Sequence, residues 1–128
     1  METIKHFSRF TDMLSTEQVE KLFSARVIVF GLGGVGGAVA HMLVRSGISN
    51  LIIVDFDKID ETNINRQFVA NIHNVGQYKT AEMAKQLKDI NPEINLTIHN
   101  LKVDDNTFLD IDFDSVDYIV DCIDDVNA

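Results

Sequence analysis

Cysteine and proline are scarce in this 128-residue chain, and positive charge is thin. With Cys122 as its one cysteine, the chain holds no internal disulfide and no cysteine-rich zinc site. The one proline, Pro92, follows Asn91 and stops a helix there. No apolar run approaches the roughly 18 residues of a membrane span, and Met1-Glu2-Thr3-Ile4-Lys5-His6 lacks a secretory leader's apolar stretch. A cytoplasmic protein with no membrane partner is the expectation. Eleven Lys and Arg face twenty Asp and Glu, a net charge of −9 that argues against nucleic-acid binding by this segment alone. No repeat, low-complexity segment or linker divides the chain.

What is present is the composition of an ordinary globular domain, 45% apolar and long enough for one core. Ser15-Thr16-Glu17-Gln18 resembles a capping box opening a short helix through about Phe23. Residues 1–25 therefore read as an N-terminal arm and short helix, and 26–128 as the sheet-forming part. Strands are expected at Val27–Phe30, Leu51–Val54, Leu96–Ile98 and Tyr118–Val120. Helices are expected at 34–45, small on one side (Gly37, Ala38, Ala40), and at 77–90, with Met83, Ala84, Leu87 and Ile90 inward. Residues 56–75 read as a polar connection with little periodicity. Strand–helix alternation with continuous apolar strands makes this α/β, a Rossmann-like, doubly wound, mainly parallel sheet. The last strand is followed by no helix to cover the outer face. The chain therefore reads as the first half of a larger domain, truncated before its second half, with a sheet edge suited to pairing with a second copy.

The run Arg26-Val27-Ile28-Val29-Phe30-Gly31-Leu32-Gly33-Gly34-Val35-Gly36 is the most informative stretch. Gly31, Gly33 and Gly36 fit G-x-G-x-x-G between a strand and a helix, an arrangement that sets backbone amides and a helix N-terminus against a phosphate. The turn needs Gly31, approach to phosphate needs Gly33 or Gly34, and close helix packing needs Gly36. Asp55 ends the second strand about twenty residues on, where a carboxylate accepts hydrogen bonds from a ribose. Asp57 is a loop cap or a ligand. These features fit NAD and ATP equally.

Asn63-Ile64-Asn65-Arg66-Gln67 and Lys79 favour ATP, because nucleotidyl transfer must neutralise a triphosphate and stabilise charge at the α-phosphorus. Arg66 offers planar donors and Lys79 a point charge at a helix N-terminus. Asp124, past the last strand, is placed to hold Mg²⁺ beside phosphates. Asp121 reads as a strand-end residue, Cys122 as buried filler, and the other late aspartates as solvated loop residues. His6, His41, His73 and His99 have no metal-ligand spacing.

The glycine turn, Asp55-Phe56-Asp57, Asn63-Ile64-Asn65-Arg66-Gln67, Val75-Gly76 with Lys79, Ile90-Asn91-Pro92 and Asp121-Cys122-Ile123-Asp124 occur in that order. Together they resemble the ThiF/MoeB/HesA family, bacterial relatives of ubiquitin-activating enzymes, over roughly Arg9 to Val126. The resemblance implies a homodimeric adenylating enzyme using ATP and Mg²⁺. It implies Gly34 and Asp55 at the nucleotide, Asn63, Asn65, Arg66 and Lys79 on the phosphates, and Asp124 on the magnesium. Arg9, in Ser8-Arg9-Phe10, matches an arginine that reaches into the partner subunit's site. Asn-x-Asn-Arg-Gln and the Asp-x-Ile-Asp ending look most like the family's tRNA-modifying branch, which dehydrates a carboxylate-bearing nucleoside. A member activating a ubiquitin-like sulfur-carrier protein would need a later cysteine, often with Cys-x-x-Cys pairs, and neither is in this segment. An NAD-dependent oxidoreductase and a non-catalytic nucleotide-binding module are the rivals from other classes.

Overall fold

The computed structural model describes residues 5–124. Asp125 and Val126, which the family resemblance includes, lie outside them. A single turn, α1 (Ser8–Thr11), leads to α2 (Thr16–Ser24). The capping box forms: Gln18 N–H donates to Ser15 Oγ at 3.2 Å, and Ser15 N–H donates to Gln18 Oε1 at 2.9 Å. Phe23 on α2 is buried, and its ring lies 6.1 Å from that of Phe7.

Strand β1 (Arg26–Phe30), α3 (Gly34–Arg45), β2 (Asn50–Val54), α4 (Lys79–Ile90), β3 (Asn95–His99) and β4 (Tyr118–Asp121) follow. The order across the sheet is β3-β2-β1-β4, and every pairing is parallel. Register is set by the central strands, with Val29 opposite both Ile53 and Val120. The chain winds outward from β1 to β3, then crosses back to place β4 on β1's other side. That reversal opens a crevice at the carboxyl ends of β1 and β4, where open α/β sheets take their ligands.

Both faces of β1 and β2 are covered, as their unbroken apolar runs require. Val27, Val29, Leu51 and Ile53 pack against Ala40 and Val44 of α3 and Met83 and Leu87 of α4. Close approach of α3 comes from Gly36, Gly37 and Ala40, which are buried, whereas Ala38 is only half-buried. On the opposite face no helix is present among the described residues. Ile28, Phe30, Ile52 and Val54 are covered instead by Ile111, with Leu101, Val103, Phe113 and Val116 packed around it. A connection carrying one 3₁₀ turn (Thr107–Asp110) thus does the work expected of a helix. The cover stops short of β4, whose Tyr118 and Ile119 are largely exposed.

The 56–75 connection is better anchored than its polarity suggests. Ile59, Val69 and Ala70 are core residues, and Lys58 bridges Tyr78 in an isolated antiparallel pair. Isolated apolar anchors in irregular backbone have no period to detect.

Candidate functional site

Phe30 ends β1 and Gly31 turns the chain out of the sheet with φ +88°, a left-handed conformation natural to glycine. Gly31 N–H donates to Val54 O at 2.8 Å. A Cβ there would sit 2.8 Å from Cys122 O, and one on Gly36 would sit 1.7 Å from Gly31 O. Packing alone demands both glycines. Gly33 and Gly34 are different, since a Cβ on either meets nothing nearer than Gln67 Nε2 at 3.6 Å and Arg66 O at 3.8 Å. The protein leaves these two positions bare without needing to, and the space opens into the cleft. Gly33 caps α3 with no side-chain hydrogen bond, and no acidic residue occupies the first turn. Uncapped amides and the positive end of the helix dipole therefore face the cleft.

The cleft is open, of about 590 Å³, and is lined by both of those glycines and by the ends of β1, β2 and β4. Asp55 is fixed at its rim. Its Oδ2 accepts from Leu32 N–H at 2.8 Å and its Oδ1 from Asp57 N–H at 2.7 Å. Each oxygen keeps a further lone pair for a ligand hydroxyl. Asp57, half exposed, reaches Lys79 Nζ at 3.8 Å, and its carbonyl accepts from Lys79 N–H at 3.0 Å. Asp57 is thus both loop partner and ion-pair partner. Lys79 begins α4 with a side chain only 7% exposed and lines the same cleft as the glycine turn.

Asn63 is buried on the same wall, its Oδ1 accepting from Asp60 N–H at 2.8 Å. Asp60 in turn accepts from the Thr62 hydroxyl and N–H, which hold its carboxyl below the usual carboxylate range. Arg66 is exposed at the cleft mouth, where Nη1 donates to Thr62 O at 2.9 Å and Asn65 Oδ1 at 3.0 Å. Asn65 does not line the cleft; it holds Arg66. Asp124 does line it, beside Cys122 and Ile123. Asp121 Oδ1 accepts from Ile123 N–H at 3.0 Å, a strand-end turn as expected. Burial, then the neighbouring Asp121, pushes the Cys122 thiol up, so it is no activated nucleophile. Arg9 lies on α1 and does not line the cleft of its own chain.

The folded chain thus gathers Gly31, Gly33, Gly34, Asp55, Asp57, Asn63, Arg66, Lys79 and Asp124 around one space, with Gly36 behind the turn. Sequence reasoning missed several contributors. Gln67 was read only as part of its motif. Phe56, Leu101 and Lys102 also line the cleft, and Lys102 Nζ stands 5.8 Å from the centre of the Phe56 ring. The signal that finds them is topological: residues just past each parallel strand converge on the ligand edge. Among the described residues no group of three or more His, Cys, Asp or Glu side chains converges as a metal site. A lone carboxylate such as Asp124 still suits Mg²⁺, which binds through one or two carboxylates together with substrate phosphates.

Residues 7–128 match the ThiF family. The chain belongs to the ThiF family. This ThiF-family chain is 36% identical over 121 residues to tRNA threonylcarbamoyladenosine dehydratase of Bacillus subtilis, covering 94% of the chain and 48% of that protein. It is 32% identical over 122 residues to a probable adenylyltransferase/sulfurtransferase, MoeZ, of Mycobacterium tuberculosis, covering 94% of the chain and 31% of that protein. The E. coli dehydratase, TcdA, in complex with ATP superposes with a TM-score of 0.87 at 31% identity, covering 96% of the ThiF-family chain and 51% of the other. The chain spans about half the length of these two bacterial dehydratases. No helix among the described residues is long and apolar enough to cross a membrane.

Proposed function

We propose that this chain is the nucleotide-binding part of an ATP-dependent adenylating enzyme, and specifically of a tRNA threonylcarbamoyladenosine dehydratase. The observation that carries the reading is the pair Gly33 and Gly34, bare although packing does not require it, at an uncapped helix end that shares its cleft with Lys79. A triphosphate suits that space by charge, through Arg66 and Lys79, and by shape, through the free amides. Similarity to a dehydratase solved with ATP, over nearly the whole chain, supports the same ligand.

In this reading Asp55 accepts from the ribose hydroxyls, while Asn63, Arg66 and Lys79 hold the phosphates. A substrate carboxylate oxygen attacks the α-phosphorus, a new P–O bond forms, and the bond to pyrophosphate breaks. Lys79 and Arg66 stabilise the charge that builds on the phosphoryl oxygens. Asp124 would hold Mg²⁺, which supplies further neutralisation of the phosphates. The acyl-adenylate of the nucleoside then closes on itself, releasing AMP, with net loss of water from the nucleoside. Asn65 acts by orienting Arg66. Arg9 acts in the partner subunit of a homodimer, and tRNA meets positive surface elsewhere in the assembly, since this chain carries −9. A cytoplasmic location suits that substrate.

The test is ATP–pyrophosphate exchange with Mg²⁺, with and without tRNA carrying the carboxylate, for the unaltered chain and Arg66→Ala. Exchange that needs tRNA and disappears in the variant is the expected result. The similarity to MoeZ favours a second reading, activation of a sulfur-carrier protein's C-terminal glycine. Exchange stimulated by such a carrier and not by tRNA would select it. Tighter binding of NADH than of ATP would overturn both readings.

A further inference from the structure

Three elements bring groups to the cleft: α3 through the bare positions Gly33 and Gly34, α4 through Lys79, and the 56–75 connection through Asn63 and Arg66. Away from the cleft, one side-chain relay ties all three together. Gln86 of α4 donates from Nε2 to the Val69 carbonyl of the connection at 3.2 Å, and its Oε1 lies 2.9 Å from His41 Nε2 on α3. Because the Gln86 NH₂ is committed to a carbonyl, its oxygen faces the imidazole, so His41 Nε2 carries the proton and donates. The His41 ring also meets the Phe68 ring edge-on, with centroids 6.1 Å apart, one residue before Val69.

Neither His41 nor Gln86 lines the cleft. Burial of Val69 and Ala70 holds the connection to the core, but apolar burial has no direction. Val69 O also accepts from Asn74 Nδ2 at 2.7 Å, a bond within the connection that cannot fix it to a helix. The reach of Asn74 to α4, Nδ2 to Glu82 Oε2, is longer at 3.4 Å. Gln86 supplies the shorter tie. From Val69 the chain leads back to Arg66 through tight turns, with Ala70 N–H on Gln67 O at 3.1 Å and Gln67 N–H on Asn63 O at 2.9 Å. A shift of Val69 therefore carries Arg66 with it.

We propose that Gln86 is a positioning residue of the nucleotide site: anchored by His41, it sets the connection against α3 and α4 and so aims the Arg66 guanidinium. The proposal rests on the nucleotide reading above. A guanidinium needs aiming because its planar fork pairs with phosphate oxygens in a fixed geometry, whereas an ammonium acts as a point charge.

Calorimetric titration of the 128-residue chain with ATP and adenosine tests this, using Gln86→Leu and Gln86→Glu. Val69 O keeps Asn74 in both variants, so neither strands a buried carbonyl, and both should fold. Gln86→Leu removes both bonds of the relay. It should weaken ATP about 5-fold, the worth of one hydrogen bond, and leave adenosine unchanged. Gln86→Glu keeps an acceptor for His41 but sets a carboxylate against the Val69 carbonyl, and should weaken ATP at least as much. In an Arg66→Lys background, which keeps the charge and removes the fork, either substitution should change ATP affinity less than about twofold. Equal losses in the two backgrounds, an equal loss for adenosine, or unchanged ATP affinity in either Gln86 variant would overturn the proposal while the nucleotide reading stands. If the unaltered chain binds neither ligand, both fall.

Discussion

Gly36 lies against Gly31 so closely that a single methyl group cannot come between them. The Cβ of an alanine at 36 would fall 1.7 Å from the Gly31 carbonyl oxygen. The helix start and the turn are one packed unit, with Cys122 wedged behind it 3.1 Å from the same Cβ position. Gly36→Ala should therefore lower stability by about 3 kcal/mol through overpacking in the core. Urea unfolding followed by circular dichroism measures the loss.

Gly34→Ala should behave in the opposite way. Its Cβ has room, and alanine in a helix is favoured over glycine by about 0.5–1 kcal/mol, less at the first position. The variant should fold as well as the unaltered chain and bind ATP at least tenfold more weakly by calorimetry, because the methyl enters the ligand's space. Equal ATP affinity would show that the phosphate does not rest there.

Lys79→Met separates the same two properties at a charge. Asp57, the ion-pair partner, is half exposed and is not stranded when the ammonium goes. Stability should stay within about 1 kcal/mol of the unaltered chain. ATP affinity should fall about 100-fold and adenosine affinity stay put, as expected when a charge on the phosphates is removed in a partly buried site.

Asn65→Ala tests whether the residue works through Arg66. Its exposed amide touches Arg66 Nη1 and lies off the cleft. In pyrophosphate exchange the single variant should lose part of what Arg66→Ala loses, and the double variant no more than Arg66→Ala alone. Additive losses would give Asn65 its own contact with substrate.

Cys122 sets a pH dependence. Its thiol is raised from an ordinary value of 9.0, so the folded chain keeps the proton that the unfolded chain releases first. The stabilisation is complete below about pH 9 and is lost as pH rises through the folded thiol's higher value. Compared with Cys122→Ala, the unaltered chain should lose stability as pH rises above about 9 in denaturant titrations. At pH 8 iodoacetamide should alkylate the native chain more slowly than the unfolded one.

Strands and helices were legible wherever a period or a cap was at work. The apolar runs at 27–30 and 51–54 and the start of α3 at Gly34 stand where expected, and the box at Ser15–Gln18 opens α2. The cover over Ile28 and Ile52 was not legible, because Leu101, Val103, Ile111 and Phe113 are spaced irregularly through acidic loop sequence. For the site, motif residues just past a strand end, such as Gly33 and Asp55, came together in the cleft with Lys79 at the start of α4. The family resemblance implies Asn65 on the phosphates; in the folded chain its Oδ1 accepts from Arg66 Nη1 and it is not among the residues lining the cleft. Lys102 and Phe56 depend on which loops share the sheet's edge, and that follows from strand order, not from local pattern.

The Asp55 carboxylate holds Leu32 from across a strand boundary and also steadies its own loop through Asp57. It joins the two rims of the crevice, one at the end of β1 and one at the end of β2, as a keystone joins the sides of an arch. A nucleotide bound as proposed would meet a mouth whose width is already set, so little ordering would remain for binding to accomplish at that rim. On the proposed reading, a change at Asp55 would not merely delete a ribose contact; it would loosen the glycine turn at Leu32 as well, and the two halves of the ligand would lose their grip together.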